Sequence, residues 1–164
     1  MSLPARALFM IRPKSFGYNR ETAGSNFFQH IPESEVQTKA LEEFDRAVKA
    51  ISVSGIDLEI VNDLDKPELP DAIFPNNWFT THPNGTIVLY PMMTPNRRAE
   101  RRSDILNLLA EKYGYTTTHD LTHHTRANKY LEGTGSLVFD HDQHVAFACS
   151  SPRTNSDVLL ETCE

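Results

Sequence analysis

The sequence predicts an α/β protein assembled from a repeated strand–turn–strand–helix unit, and three observations predict it. Short β-type runs alternate with helical stripes along the whole chain. Strand, turn, strand, Ser/Thr-Pro and helix recur in the same order twice. The recurrence keeps a near-constant offset: Asn76 matches Glu132 (132 − 76 = 56), Arg97 matches Arg153 (153 − 97 = 56), and Val88 matches Val145 one residue further on. A period in this range marks a propeller or a similar array.

Taken in order, Ala5 to Arg12 is a short β-type run closed by Pro13, and Lys14 to Pro32 is a polar loop long enough to suggest function or disorder. Pro32 to Glu35 opens a helix. Val36, Ala40, Phe44, Ala47, Val48 and Ile51 give it one apolar face, and Gly55 ends it. Ile56 to Val61 alternates as a strand, and Asn62 to Asp71 is a Pro- and Asp-rich connection. In the second round, Ala72 to Phe74 leads into Pro75-Asn76-Asn77, and Trp78 to Thr81 is strand. Pro83-Asn84-Gly85 then turns into the buried-type strand Thr86 to Tyr90. Thr94 is the expected N-cap, with Pro95 at the first helical position. Ile105, Leu108, Leu109 and Tyr113 form the stripe, Gly114 the C-cap, and Tyr115 to Thr118 a strand. The third round follows a polar loop, His119 to Asn128. A strand interrupted at Leu131 to Ser136 resumes at Leu137 to Phe139, His144 to Cys149 is its partner, and Ser151-Pro152 starts another helix.

Modules of about 1–62, 63–118 and 119–164 result, the last without a closing strand. The expectation is an N-terminal part of one larger domain. Each module of a ring leaves edges exposed until its neighbours cover them, so self-association of the chain, as a homo-oligomer, is expected.

Composition narrows the function classes. The chain has 164 residues, a net charge of −6 and no apolar run long enough to span a membrane, so neither a nucleic-acid binder nor a membrane protein is expected. Two cysteines make no disulfide scaffold, and the N-terminus lacks a signal-peptide pattern, so a cytoplasmic setting is expected.

Four groups could carry chemistry. Asn76 and Asn77, beside Trp78, offer paired carboxamide donors and acceptors suited to a flat polar group, although Pro-Asn-Asn is also an ordinary turn. Glu132 stands beside Gly133 and Gly135, where glycine marks close approach of backbone or ligand, or else a bulge with a solvent-facing carboxylate. Arg97 and Arg153 each stand just inside an expected helix start, with Arg98, Arg101 and Arg102 adding to the first. Cations placed against the helix dipole suit a bound anion; the plainer reading pairs them with Glu100 and Asp104 on a solvated face. His119, His123, His124 and Asp120 have metal-like spacing only if helical. Their polar surroundings read as a loop, and no metal is expected. Cys149 alternates into a strand and reads as a small buried hydrophobe.

Taken as a set, MIRPKSFGYNRET, DAIFPNNWF, YPMMTPNRRAERR, YLEGTGSLVFD and ACSSPRTN resemble the guanidino-group-modifying, or pentein, superfamily, nearest its bacterial citrulline hydrolase (amidinotransferase-like) branch. The resemblance covers nearly the whole chain. It implies a five-bladed α/β propeller of ββαβ modules, of which nearly three are present; five would need roughly 280 residues. It also implies a Cys-dependent hydrolase of C–N bonds other than peptide bonds, working without a cofactor on a small ureido or guanidino amino acid. Asn76 and Asn77 fall where arginine-hydrolysing members carry carboxylates that hold the guanidinium. Glu132 matches a family glutamate that contacts the same group, and Arg97 and Arg153 match arginines that hold the substrate α-carboxylate. Two carboxamides in place of two carboxylates suit a neutral ureido group, so citrulline is the expected substrate, giving ornithine, ammonia and carbon dioxide. The alternatives are an arginine deiminase, a dimethylarginine hydrolase or an amidinotransferase of the same fold, or a non-catalytic binding or assembly module. The family nucleophile Cys and general acid/base His match no residue here, Cys163 included, so the chain alone is expected to be inactive.

Overall fold

The computed structural model describes residues 7–26, 29–31 and 35–163. The backbone divides into two units, residues 2–75 and residues 76–164. The expected helix opening at Pro32 to Ser34 lies outside the described residues.

In the first unit, β1 (Ala7–Arg12), α1 (Val36–Ser52) and β2 (Asp57–Asn62) form a β–α–β crossover. β1 and β2 pair in parallel from Ala7↔Asp57 to Arg12↔Asn62. The connection between parallel strands needs a dozen or more residues, which α1 supplies. Val36, Ala40, Phe44, Val48 and Ile51 are half-buried, so the expected stripe is present, whereas Ala47 is exposed. Gly55 follows the helix with φ 79°, a left-handed conformation that glycine adopts without a Cβ penalty.

Three described residues of the polar stretch after Pro13 gather around one carboxylate. Asp71 is buried and accepts hydrogen bonds from Asn19 Nδ2 at 2.7 Å, Thr22 Oγ1 at 3.4 Å and Gln29 Nε2 at 3.4 Å. Asn19 and Thr22 are buried with it. A buried carboxylate held by several donors fixes the side chains that reach it. Ala72 to Phe74, expected as a strand lead-in, forms a turn in which Phe74 N–H donates to Asp71 O.

In the second unit, β3 (Phe79–Thr81) and β4 (Thr86–Leu89) pair antiparallel, and β5 (Thr117–Asp120) pairs parallel to β4, giving the order β3-β4-β5. The hairpin turns at Gly85, φ 80°, with Asn84 Oδ1 accepting from Thr86 N–H. Between β4 and β5 lie α2 (Pro95–Arg98) and α3 (Ser103–Tyr113). The stretch is thus two helices rather than one. Thr94 has the extended backbone of an N-cap but makes no capping hydrogen bond. Gly114 caps α3 in the left-handed region, its N–H on Ala110 O and that of Tyr115 on Leu109 O. β5 starts two residues later than the sequence suggested, because its register to β4 begins at Thr86↔Thr117.

After a 3-10 turn (Thr122–Ala127) come α4 (Gly133–Ser136), β6 (Leu137–Asp140), β7 (Val145–Ala148) and α5 (Ser156–Cys163), with β6 and β7 antiparallel. The unit therefore contains one complete β-β-α-β run, β3 to β5, followed by a second β-β-α run. Val88, Tyr90, Leu121, Leu131, Leu137 and Val158 form a buried core that joins the two runs.

Three expectations are corrected here. Leu131 to Ser136 is not interrupted strand: Leu131 makes a single bridge to Thr154, and residues 133–136 make a helical turn. The last helix begins at Ser156, not at Ser151-Pro152. Asn155 Oδ1 accepts from the N–H groups of Asp157 and Val158 and caps it, while Ser151 and Thr154 close a tight turn through their hydroxyls at 3.0 Å. Cys149 is exposed rather than buried, since it follows β7, whose residues are mostly exposed.

Candidate functional site

Five sequence-predicted residues converge in the second unit, on the segment from Leu131 to Gly135. Leu131 N–H donates to Pro91 O, which lays residues 131–132 alongside residues 91–93. Arg98 secures that stretch by donating from Nε to Met92 O at 2.9 Å and from Nη2 to Met93 O at 2.7 Å. Glu132 is 1% exposed. Its Oε1 accepts from Met93 N–H at 3.1 Å, and its Oε2 lies 3.4 Å from Arg153 Nη1 and 3.9 Å from Arg97 Nη1. The solvent-facing reading of Glu132 is excluded.

Arg97 is itself buried and forks onto Glu100, Nε to Oε1 at 2.8 Å and Nη2 to Oε2 at 2.9 Å. Glu100 is 2% exposed. The partner expected for a solvated face is therefore correct, but the face is interior. Arg153 belongs to the turn before α5, not to a helix N-terminus, so the helix-dipole argument does not apply to it. Arg102 pairs with Asp104 at 2.6 Å, and Arg101 donates to Arg98 O.

The carboxamides approach the same segment from the 3-10 turn Pro75–Asn77. Asn76 Nδ2 donates to Thr134 Oγ1 at 3.0 Å. A Cβ on Gly133, φ 34°, would meet Asn76 O at 2.3 Å, and one on Gly135 would meet Asn77 Nδ2 at 2.1 Å. Gly133 is thus required for the Asn-Asn turn to sit against the Gly-Thr-Gly turn, whereas at Gly135 only the Asn77 side chain would have to move. The 56-residue repeat equates these two turns, and the fold brings them face to face. Trp78 is fully buried against Phe79 rather than open beside the carboxamides.

The site's immediate surroundings include Tyr90, buried and hydrogen-bonded to Thr80 Oγ1 at 2.8 Å. Burial pushes its hydroxyl up to about 12, so it is a neutral phenol. His82, whose Nε2 is 2.9 Å from Thr80 Oγ1, titrates below its usual value because of burial and then of nearby His141. Thr134, Met93 and Tyr90 were not singled out from the sequence. Thr134 and Met93 act through a hydroxyl and a backbone N–H, which leave no pattern in a single sequence. Among the thiols, Cys163 lines a cavity of about 200 Å³ with His82, His141 and His144, and Cys149 donates weakly to Ser150 O.

Arg97 and Arg153 both face Glu132, Arg97 also forks onto Glu100, and the half-buried Arg98 adds a third cation beside Met92 and Met93.

Comparison with known proteins bears on this geometry. The family model "N,N dimethylarginine dimethylhydrolase, eukaryotic" matches residues 12–164. No curated protein sequence matches the chain. Among solved structures, DDAH from Pseudomonas aeruginosa, in complex with citrulline, is 14% identical with a TM-score of 0.67, over 96% of this chain and 55% of that one. The N-terminal domain of ArgZ with bound product, an arginine dihydrolase from the ornithine–ammonia cycle in cyanobacteria, is 18% identical with a TM-score of 0.72, over 96% of this chain and 53% of that one. The chain therefore spans about half the length of these solved chains, and it shares their mixed α/β fold. Among the described residues no helix is long and apolar enough to cross a membrane.

Proposed function

Since the chain belongs to the N,N dimethylarginine dimethylhydrolase family, within the guanidino-group-modifying pentein superfamily, we propose that the whole protein is a Cys-dependent hydrolase of C–N bonds that acts on citrulline. The observation that carries this reading is that the positions facing the Gly-Thr-Gly turn are carboxamides, Asn76 and Asn77, not carboxylates.

In this proposal Asn76 and Asn77 donate to the ureido oxygen and accept from its N–H groups. Arg153, with Arg97 behind it on Glu132, receives the α-carboxylate. Glu132 is the buried carboxylate that contacts the same ureido group. Met93 N–H and the two arginines hold it in place, so it needs no reorganisation during the reaction. A thiolate attacks the ureido carbon and ammonia leaves. Water then cleaves the resulting thiocarbamate, giving ornithine and carbon dioxide, so that one citrulline and one water yield one each of ornithine, ammonia and carbon dioxide.

We further propose that the modules form part of a five-bladed ring, that the nucleophile is neither Cys149 nor Cys163, and that the protein acts in the cytoplasm without a cofactor. The test is product stoichiometry. The complete protein should release ammonia and carbon dioxide from citrulline in equal amounts, whereas the 164-residue chain should release none. Ammonia from the isolated chain, lost on Cys149→Ala or Cys163→Ala substitution, would refute the assignment of the nucleophile.

A further inference from the structure

Away from the Glu132 cluster, a different set of side chains meets where the 3-10 turn Thr122–Ala127 approaches α5. One ring nitrogen from each of His123 and His124 and a carboxylate oxygen of Glu161 lie within 4.8 Å of one another. His124 Nε2 is 2.8 Å from Glu161 Oε2, and the two imidazoles are nearly stacked, with centroids 4.2 Å apart and planes 33° apart. His123 Nδ1 is 3.1 Å from Asp120 O. An Nδ1–H donated to that carbonyl leaves the Nε2 lone pair for a ligand, the arrangement that orients metal-binding histidines.

We propose that His123, His124 and Glu161 form a binding site for a divalent transition-metal ion of the zinc class. Two neutral imidazoles and one carboxylate are donors that suit zinc better than calcium or magnesium, and three protein ligands leave a fourth position for water. Around a tetrahedral centre with bonds of about 2.05 Å, neighbouring ligand atoms stand roughly 3.3 Å apart. The 2.8 Å His124–Glu161 pair therefore has to open by about half an ångström, and the pairs with His123, within 4.8 Å, to close by at most about 1.5 Å. Side-chain rotation achieves that, since His124 and Glu161 are partly exposed and His123 is exposed. The frame around the site is already held without the ion. Asp120 Oδ1 accepts Thr122 N–H at 2.8 Å, and Lys129 pairs with Asp157 at 2.5 Å.

The ion would tie the 3-10 turn to α5, and the segment between them in sequence carries Glu132. This makes it a structural staple close in the chain to the candidate site, with the ligands themselves outside that site. Spacing alone missed it: His119 lies in β5 and is not one of the three, and the third ligand comes from Glu161, 37 residues after His124.

Zinc chloride titrated into the chain, read by calorimetry and by competition with a chromophoric chelator, tests the proposal. One ion per chain is expected at this site. Each of His123→Ala, His124→Ala and Glu161→Gln should weaken binding about tenfold or more. His82→Ala and Cys163→Ser, which alter the neighbouring histidine–cysteine cavity, should leave the affinity unchanged. Zinc should also raise the thermal midpoint of the chain, and this rise should vanish in the three ligand variants. Circular dichroism separates loss of the site from loss of the fold, and Glu161→Gln, on a half-exposed side chain, keeps the test informative if an alanine variant unfolds. Undiminished binding in the His123→Ala/His124→Ala/Glu161→Gln triple variant, or no binding by the unaltered chain, would overturn the proposal.

Discussion

Replacing Gly133 by alanine should destabilise the second unit far more than the same change at Gly135. At Gly133 the new Cβ would lie 2.3 Å from Asn76 O, and 3.1 Å from both Asn77 O and Tyr90 Cδ2. Two of those atoms are backbone, so relief requires the whole Asn-Asn turn to move. The residue also keeps a positive φ of 34°. Overpacking costs about 1–3 kcal/mol and a left-handed alanine about 1–2 more, giving roughly 2–5 kcal/mol. For a chain of this size each kcal/mol lowers the melting midpoint by about 2–4 °C. Gly133→Ala should therefore lower it by roughly 4–20 °C. At Gly135 the first obstacle is Asn77 Nδ2, the tip of a side chain that can swing away. Gly135→Ala should cost under about 1 kcal/mol in stability, yet it should displace the Asn77 carboxamide and lower citrulline turnover in the complete protein. Thermal melts followed by far-ultraviolet circular dichroism compare the two. A Gly133→Ala midpoint within a degree of the unaltered chain, or a larger loss at Gly135, would refute the claim that the two turns are packed backbone to backbone.

Further outcomes follow from the same geometry. Glu100→Ala leaves the Arg97 guanidinium buried without its fork and should cost about 3–5 kcal/mol in urea unfolding; the exposed Arg12–Asp45 pair should be far less sensitive. Tyr90 titrates near 12 in the fold against about 10 when unfolded, so stability is intact below pH 10 and falls by roughly 3 kcal/mol as pH rises through 12. Tyr90→Phe should abolish that alkaline loss, read as pH-dependent melts. His82 titrates below its unfolded value, so its contribution is present at neutral pH and lost on acidification; His82→Gln should flatten the acid side of the stability profile. Val138 and Phe147, paired across β6 and β7 and 67% and 60% exposed, offer an apolar face for self-association. Phe147→Asp should shift light scattering from dimer or larger towards monomer, and an unaltered chain already monomeric at micromolar concentration would contradict this.

Much of the fold was legible because its signals are local. Gly114 and Gly85 occupy the left-handed positions that a cap and a hairpin require, and the stripes of α1 and α3 follow helical spacing. The recurring order of two strands and a helix was legible too, and the expected 56-residue offset matched two turns that are in contact. What escaped depends on partners distant in sequence. Helix α5 starts late because the Leu131↔Thr154 bridge and the Ser151–Thr154 turn hold Arg153 in place. Glu132 is buried because Arg97, Arg153 and Met93 N–H surround it, which its Gly-rich neighbours could not reveal. Asp71 gathers the side chains of Asn19, Thr22 and Gln29, 42 to 52 residues away. Cys149 followed strand alternation into an expected core position, but the two-stranded β6–β7 sheet leaves it exposed.

We propose that this site takes a neutral ureido group. The ratio of kcat/KM for citrulline to that for arginine in the complete protein, measured beside the Asn76→Asp/Asn77→Asp variant, decides it. A ratio above one is expected, falling when the carboxylates are introduced. A protein that prefers arginine while it still carries both asparagines would contradict it.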